Sequence, residues 1–178
     1  WSARMAIFNH ASTLDEGLAL DQKEYDRRAR EYADRGVNFV DATFGRFHMR
    51  FDWIERFDDI EEVTRRITKV CHKVGIRVYE HHSSTLIIEH TDALYRGWDP
   101  ESAATVDLRT GLPRIANGGE PKRYLCVNNP EWKEKYTAYI LDFVNETGVD
   151  GLMHDDIHFA GQYFCGCDHC REKFRRVM

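Results

Sequence analysis

Residues 60–80 read Ile60-Glu-Glu-Val63-Thr-Arg-Arg-Ile67-Thr-Lys-Val70-Cys-His-Lys-Val74-Gly75-Ile76-Arg-Val78-Tyr-Glu80, and this stretch decides the fold. Ile60, Val63, Ile67, Val70 and Val74 recur at three- and four-residue intervals, so a helix puts them on one face. Gly75 tolerates the left-handed backbone that stops a helix. Ile76-Arg-Val-Tyr-Glu80 then suits a strand. The same phrase occurs twice more. Tyr25, Ala29, Tyr32 and Ala33 form a stripe ended by Gly36 and followed by Val37-Asn-Phe-Val-Asp41. Trp132, Tyr136, Tyr139, Ile140, Phe143 and Val144 form another, ended by Gly148 and followed by Val149-Asp-Gly-Leu-Met153.

The helix starts agree with this reading. Asp21 with Glu24, and Asp59 with Glu62, have capping-box spacing, and Asn129 precedes a proline suited to the first helical position. Upstream, Arg4–Asn9 reads as a first strand, and a further helix begins near Cys170. Alternating strands and helices predict an α/β fold with a parallel sheet. Two architectures compete, a doubly wound sheet and a (β/α)8 TIM barrel. No glycine-rich phosphate fingerprint follows the first strand, as it would in many nucleotide-binding sheets. Instead, polar residues gather where each strand ends: Asn9-His10, Asp41, Glu80-His81-His82 and His154-Asp155-Asp156. Barrel enzymes keep their chemistry there. Residues 83–128 are too long for a plain connection, and such loops are usually functional. The expectation is a barrel of which residues 1–178 supply strands one to four. A complete one needs about 250 residues, so the remaining strands are expected after Met178.

The formal charge of −5 offers no basic face to neutralise phosphates, which argues against a nucleic-acid partner. The basic pairs Arg27-Arg28, Arg65-Arg66 and Arg175-Arg176 sit among acids and read as solvated helix faces. No apolar run approaches the roughly 20 residues that span a bilayer, so no membrane role is expected. There are five cysteines, three of them within six positions, which suggests metal chemistry rather than a disulfide framework. A reducing, cytoplasmic setting fits that use.

Cys165, Cys167 and Cys170 form Cys-x-Cys-x-x-Cys, and three thiolates this close can converge on one cation. Zinc takes four soft ligands in a tetrahedron. Cys126, just before the third helix, is the leading fourth ligand, and His169 is the alternative. Free or partly disulfide-bonded thiols and an iron–sulfur cluster are the competing readings, although the spacing matches none of the usual cluster runs. With four protein ligands the site, spanning about residues 126–170, would be closed, hence structural. Cys71 lies beside a helical stripe and reads as a packed residue.

Cys126-Val-Asn-Asn-Pro130, then Val149-Asp-Gly-Leu-Met-His-Asp-Asp156, then the cysteine triplet with Arg171 and Phe174, resembles the family-42 glycoside hydrolases. Those are β-galactosidases with a cysteine-ligated zinc. The pattern also resembles related uncharacterised barrels that carry Cys-x-Cys-x-x-Cys after the fourth strand. The resemblance covers about residues 126–175. It implies a glycosidase barrel, cleavage of O-glycosyl bonds with retention, an oligosaccharide or glycoside substrate, and a structural Zn2+ on Cys126, Cys165, Cys167 and Cys170. Asp156 stands where the family has its general-acid Glu, and Asp155 where it has Asn. With that Asn absent and the acid shorter by one methylene, β-galactosidase activity is not implied. Other barrel glycosidases place an Asp nucleophile at the end of the fourth strand, which Asp156 could equally be.

Glycoside hydrolysis needs two carboxyl groups flanking the scissile bond, and this chain offers one of them, Asp156 or Asp155. His10, Asp41, Glu80, His81, His82 and His154 are candidate substrate-binding residues, able to hydrogen-bond sugar hydroxyls. Arg46, His48 and Arg50 could line the same cleft, and Trp53 or Trp98 could stack on a sugar or simply pack. A rival reading gives His81, His82, His154, Asp155 and His158 to a second, catalytic metal in a hydrolase of another bond. A third makes the chain a non-catalytic carbohydrate-binding module, in which half a barrel closes its open edges by homo-oligomerisation.

Overall fold

A computed structural model describes residues 2–8, 14–42, 56–83, 85–88, 98–116, 122–155 and 165–178. Within them, nothing is described of the side chains of residues 82, 83, 86–88, 100, 115, 116, 122, 123 and 155. The elements run β1 (Met5–Ile7), α1 (Leu14–Ala19), α2 (Gln22–Asp34), β2 (Phe39–Asp41), α3 (Phe57–Lys73) and β3 (Arg77–Ser83). They continue with β4 (Leu86–Ile88), a 3-10 turn (Pro100–Ala103), β5 (Ile115–Ala116), β6 (Lys122–Tyr124), α4 (Pro130–Thr147), β7 (Gly151–Asp155) and α5 (Asp168–Val177). Two compact units emerge: Trp1–Met49 with Arg56–His82 and Ile140–Asp155, and Arg50–Glu55 with Ser83–Tyr139 and Asp156–Met178.

The first unit holds a four-stranded sheet in the order β1-β2-β3-β7. β1 pairs β2 and β2 pairs β3, both parallel, with Val40 opposite Ala6 and Val78. Sequential order is what a barrel requires, whereas a doubly wound sheet reverses its order at a switch point. The stripe that predicted α3 is buried, with Ile60, Val63, Ile67 and Val70 essentially inaccessible. Each such side chain contributes about 1.5–3 kcal/mol on leaving water. Cys71 is buried beside them, as expected of a packing residue. One sheet face carries Val40 and Val78, both fully buried, and Phe8 on that side rests against Tyr25 and Tyr32 of α2. On the opposite face Met5 and Ile7 remain 57% and 54% exposed. All three helix-stopping glycines have the left-handed conformation, with φ of 77°, 78° and 68° at Gly36, Gly75 and Gly148.

The start of α3 differs from the expectation. The helix opens at Phe57, two residues before Asp59, because burial of Phe57 beside Phe143 draws the chain into the helix earlier. Asp59 therefore caps nothing and pairs with Arg56, which also reaches Asp15. The other two starts hold. Asp21 accepts a hydrogen bond from the Glu24 N–H, and Asn129 Oδ1 accepts from the Glu131 and Trp132 N–H groups. The basic pairs are indeed helix-face residues. Arg27 and Arg28 share Glu24, Arg65 and Arg66 share Glu62, and Arg176 pairs with Glu172. Arg65 and Arg66 also donate to the Glu146 and Leu18 carbonyls, satisfying the free C-terminal ends of α4 and α1.

In the second unit, the long connection carries its own antiparallel sheet, in the order β4-β6-β5. Bridges from Ala104 to Leu125 and from Val106 to Pro113 extend the pairing. Trp98 lies buried in this unit, together with Leu125 and Trp132, so it packs rather than presenting a ring to solvent. No helix among the described residues is long and apolar enough to cross a membrane.

Candidate functional site

Four sulfurs converge in the second unit. The Sγ atoms of Cys126, Cys165, Cys167 and Cys170 all lie within 4.8 Å of one another. Cys126 Sγ stands 3.4 Å from Cys170 Sγ and 3.6 Å from Cys167 Sγ. A tetrahedron of sulfurs about 2.3 Å from a zinc-sized ion has edges of about 3.8 Å. The donors thus match a four-thiolate metal site in number, chemistry and spacing. Among the described residues no other group of three or more His, Cys, Asp or Glu ligands comes this close. His169 is exposed and outside the set, and no cysteine is disulfide-bonded.

Local structure explains the convergence. Cys126 follows β6 and is held by its N–H donating to the Ala103 carbonyl at 2.7 Å, while Leu125 N–H bonds Thr85 at 2.6 Å. On the other side, Cys167 is the N-cap residue of α5 and Cys170 lies in its first turn. Gly166 N–H donates to the Val106 carbonyl at 2.7 Å. A Cβ at Gly166 would stand 2.8 Å from Leu108 Cδ2 and 3.2 Å from Leu108 Cα, so the middle of Cys-Gly-Cys has no room for a side chain. The spacing made the cysteines visible, but nothing in the sequence signalled this close approach.

The sulfurs are also supplied with donors. Backbone N–H groups reach Cys126 from Asn128, Cys165 from Val106 and Cys167, and Cys167 from Cys170. Cys170 instead receives the side-chain amide of Asn128, with Nδ2 3.3 Å from Sγ. The Cys126 thiol donates to Cys165, and this holds Cys165 down at about 4. The same bond, with burial, pushes Cys126 far above the ordinary thiol range. Burial also raises Cys167 to about 11. The pair therefore gives up its first proton readily and resists losing the second, because a second thiolate would face the first. A cation between them removes that obstacle, so metal binding and proton release are linked.

In the first unit the strand ends sort by face. Asp41 pairs opposite Tyr79 in register, so the two share a face, and alternation adds His81 to it. Gly151 joins them, since its Cβ position lies 3.8 Å from Tyr79 Cβ. Asp41 is buried and hydrogen-bonded to Tyr79; burial first, then the Asp41 charge, pushes the phenol up to about 12. Phe39 stacks on Tyr79, ring centroids 4.9 Å apart. Glu80, by contrast, alternates with Val78 on the other face and is only 2% exposed. Glu80 and His81 therefore lie on opposite faces of β3, because a strand turns adjacent side chains to opposite sides. His154, the next-to-last residue of β7, is exposed and alternates with Met153, so it is not on the face of Gly151. Asp155 is the last residue of β7. Its side chain and that of His82 lie outside the described set, as do residues His10, Arg46, His48, Arg50, Trp53, Asp156 and His158.

No family model matches this chain, and neither does any curated protein. Solved structures do. An α-galactosidase from Thermus thermophilus, in complex with p-nitrophenyl α-D-galactopyranoside, aligns with a TM-score of 0.58 at 15% identity, covering 84% of this chain and 30% of the other. The maltogenic α-amylase AmyB from Thermotoga neapolitana aligns at 0.59 and 14% identity, covering 98% and 43%. A Flavobacterium johnsoniae GH31 dextranase aligns at 0.57 and 15% identity, covering 85% and 18%. The chain thus spans less than half the length of these enzymes. At such identities the likeness is one of fold: an α/β fold with a four-stranded parallel sheet, that of a partial (β/α)8 barrel.

Proposed function

We propose that the chain forms the first four βα units of a glycoside hydrolase barrel that cleaves O-glycosyl bonds in an oligosaccharide or glycoside. The observation that carries this reading is the position of Asp41, His81 and Asp155, all at C-terminal ends of sequential strands, in a fold shared with an α-galactosidase, an α-amylase and a dextranase. Barrel enzymes place their reacting groups at that end.

The carboxylate at the end of β7 is one of the two that such hydrolysis requires; the second comes from a later strand. One of Asp155 and Asp156 is proposed to meet the substrate, since adjacent residues of an extended chain face opposite sides. Asp41 would accept hydrogen bonds from sugar hydroxyls rather than react, a role that its burial and its engagement by Tyr79 support. His81 on the same face is a further hydroxyl partner. Cys126, Cys165, Cys167 and Cys170 would hold Zn2+, which supplies a cross-link between the segments before α4 and α5. A site closed by four protein ligands has no open position for substrate, so the ion is structural.

Turnover of a panel of aryl glycosides by the full gene product tests the reading. Asp155→Asn and Asp156→Asn are assayed in parallel. One should lose roughly 10²- to 10⁴-fold in rate, and metal analysis should give one zinc per chain. A folded, metal-loaded protein that hydrolyses none of the panel would refute the assignment, leaving the carbohydrate-binding module. Two metals per chain would point to the metal-dependent hydrolase instead.

A further inference from the structure

Three of the four sulfurs are bonded by backbone N–H groups, and these are fixed by the fold. Cys170 differs, since besides the Cys126 sulfur at 3.4 Å the group that donates to it is the Asn128 side chain. A carboxamide can present either its oxygen or its nitrogen to a neighbour. Here the choice is settled from the far side. Lys173 Nζ lies 2.9 Å from Asn128 Oδ1, and an ammonium can only donate. The oxygen must therefore face Lys173, which leaves the NH2 group facing the sulfur. Asn128 and Lys173 also line a cavity of about 470 Å³ with Pro130, Lys133, His169 and Arg176, where Glu172 is the one acid. Four thiolates around a divalent ion leave two net negative charges, which a cationic wall of this kind offsets.

We infer that Asn128, oriented by Lys173, is a positioning residue for the Cys170 ligand and sets how strongly that thiolate holds its metal. This rests on the metal-site reading above. The N–H donor stabilises the sulfur as a thiolate and fixes its direction, in the way that partners of metal ligands generally do. Asn128 is well placed for the task, because its backbone N–H serves Cys126 while its side chain serves Cys170. One residue thus links a ligand on each of the two segments.

The test uses the full chain loaded with cobalt(II), whose thiolate charge-transfer band reports on the sulfurs directly, together with the rate at which a chromogenic chelator removes zinc. Asn128→Asp keeps the shape but replaces the donor with a carboxylate oxygen. It should shift the band to lower energy, since the sulfur becomes more electron-rich, and weaken zinc binding roughly 10- to 100-fold. Lys173→Met should shift the band the same way by less, because the amide is freed to turn. Lys133→Met removes a positive charge from the same cavity but no hydrogen-bond partner of Asn128, and should move the band less than Lys173→Met. The band is read only in molecules that hold cobalt, so partial misfolding does not imitate the effect. An unmoved band in Asn128→Asp would overturn the inference, as would equal shifts in Lys133→Met and Lys173→Met. A wild-type chain that binds no cobalt would instead take down the metal reading itself, and this inference with it.

Discussion

Replacing Asp150 by alanine should loosen the attachment of β7, the strand that ends in Asp155. Asp150 Oδ2 accepts a hydrogen bond from the Val78 N–H at 2.8 Å, and the Asp150 N–H donates to the Val78 carbonyl at 2.7 Å. His72 Nε2 approaches the same carboxylate oxygen at 2.8 Å. Val78 is fully buried, so without the carboxylate its N–H has no partner, at a cost of about 2 kcal/mol. The His72 contact is partly exposed on both sides and adds roughly 0.3 kcal/mol after screening. In a chain of this length about 2 kcal/mol corresponds to a fall in melting temperature of roughly 4–8 °C. Asp150→Asn retains an acceptor for Val78 and should cost well under half as much.

Burial alone would raise the Asp150 carboxyl, but the Val78 N–H and then His72 outweigh it, and the net shift is downward. A carboxylate depressed in the folded state contributes stability that is fully present above its unfolded value of about 3.9. That contribution disappears as pH falls through the folded value. The gap between wild type and Asp150→Ala should therefore narrow below about pH 4, toward the part that a neutral acceptor retains. Thermal unfolding followed by circular dichroism at several pH values measures it. Equal losses in the alanine and asparagine variants, or a gap that does not narrow by pH 2, would refute the reasoning.

Two predictions concern the thiolate site. Cys167→Ser should release the metal, seen as loss of zinc by elemental analysis, and should lower stability without removing a reacting group; unchanged zinc content would sink the ligand assignment. Gly166→Ala should also weaken metal retention, because its Cβ would meet Leu108 at both the side chain and the backbone. Overpacking of this kind costs about 1–3 kcal/mol, measurable by urea unfolding, and wild-type behaviour would show that the approach to Leu108 is easily relaxed.

Much of the fold was legible because helices and their ends are local. The stripe from Ile60 to Val70 needs only the helical period, and Gly75 needs only its own freedom at φ of 78°. The cysteines were legible for a similar reason, since thiols at short spacing point to a cation through their chemistry alone. The start of α3 was misplaced because the decisive interaction, Phe57 beside Phe143, joins residues far apart in the chain. The sheet within residues 83–128 escaped notice because its strands are two and three residues long, too short to show a period.

Sequence alone therefore determined the order of the parallel strands β1, β2, β3 and β7 and of the helices α2, α3 and α4 between them, where those helices stop, and the set of four sulfurs. It could not say which members of Glu80-His81-His82 meet the same space as Asp41, because that follows from the register of β2 on β3. Nor could it foresee that Gly166 must clear Leu108, or that Lys173 turns the Asn128 amide toward Cys170. Periodicity and side-chain chemistry are properties of neighbours in the chain. Faces, close approaches and donor directions are properties of neighbours in space, and only the folded backbone brings those together.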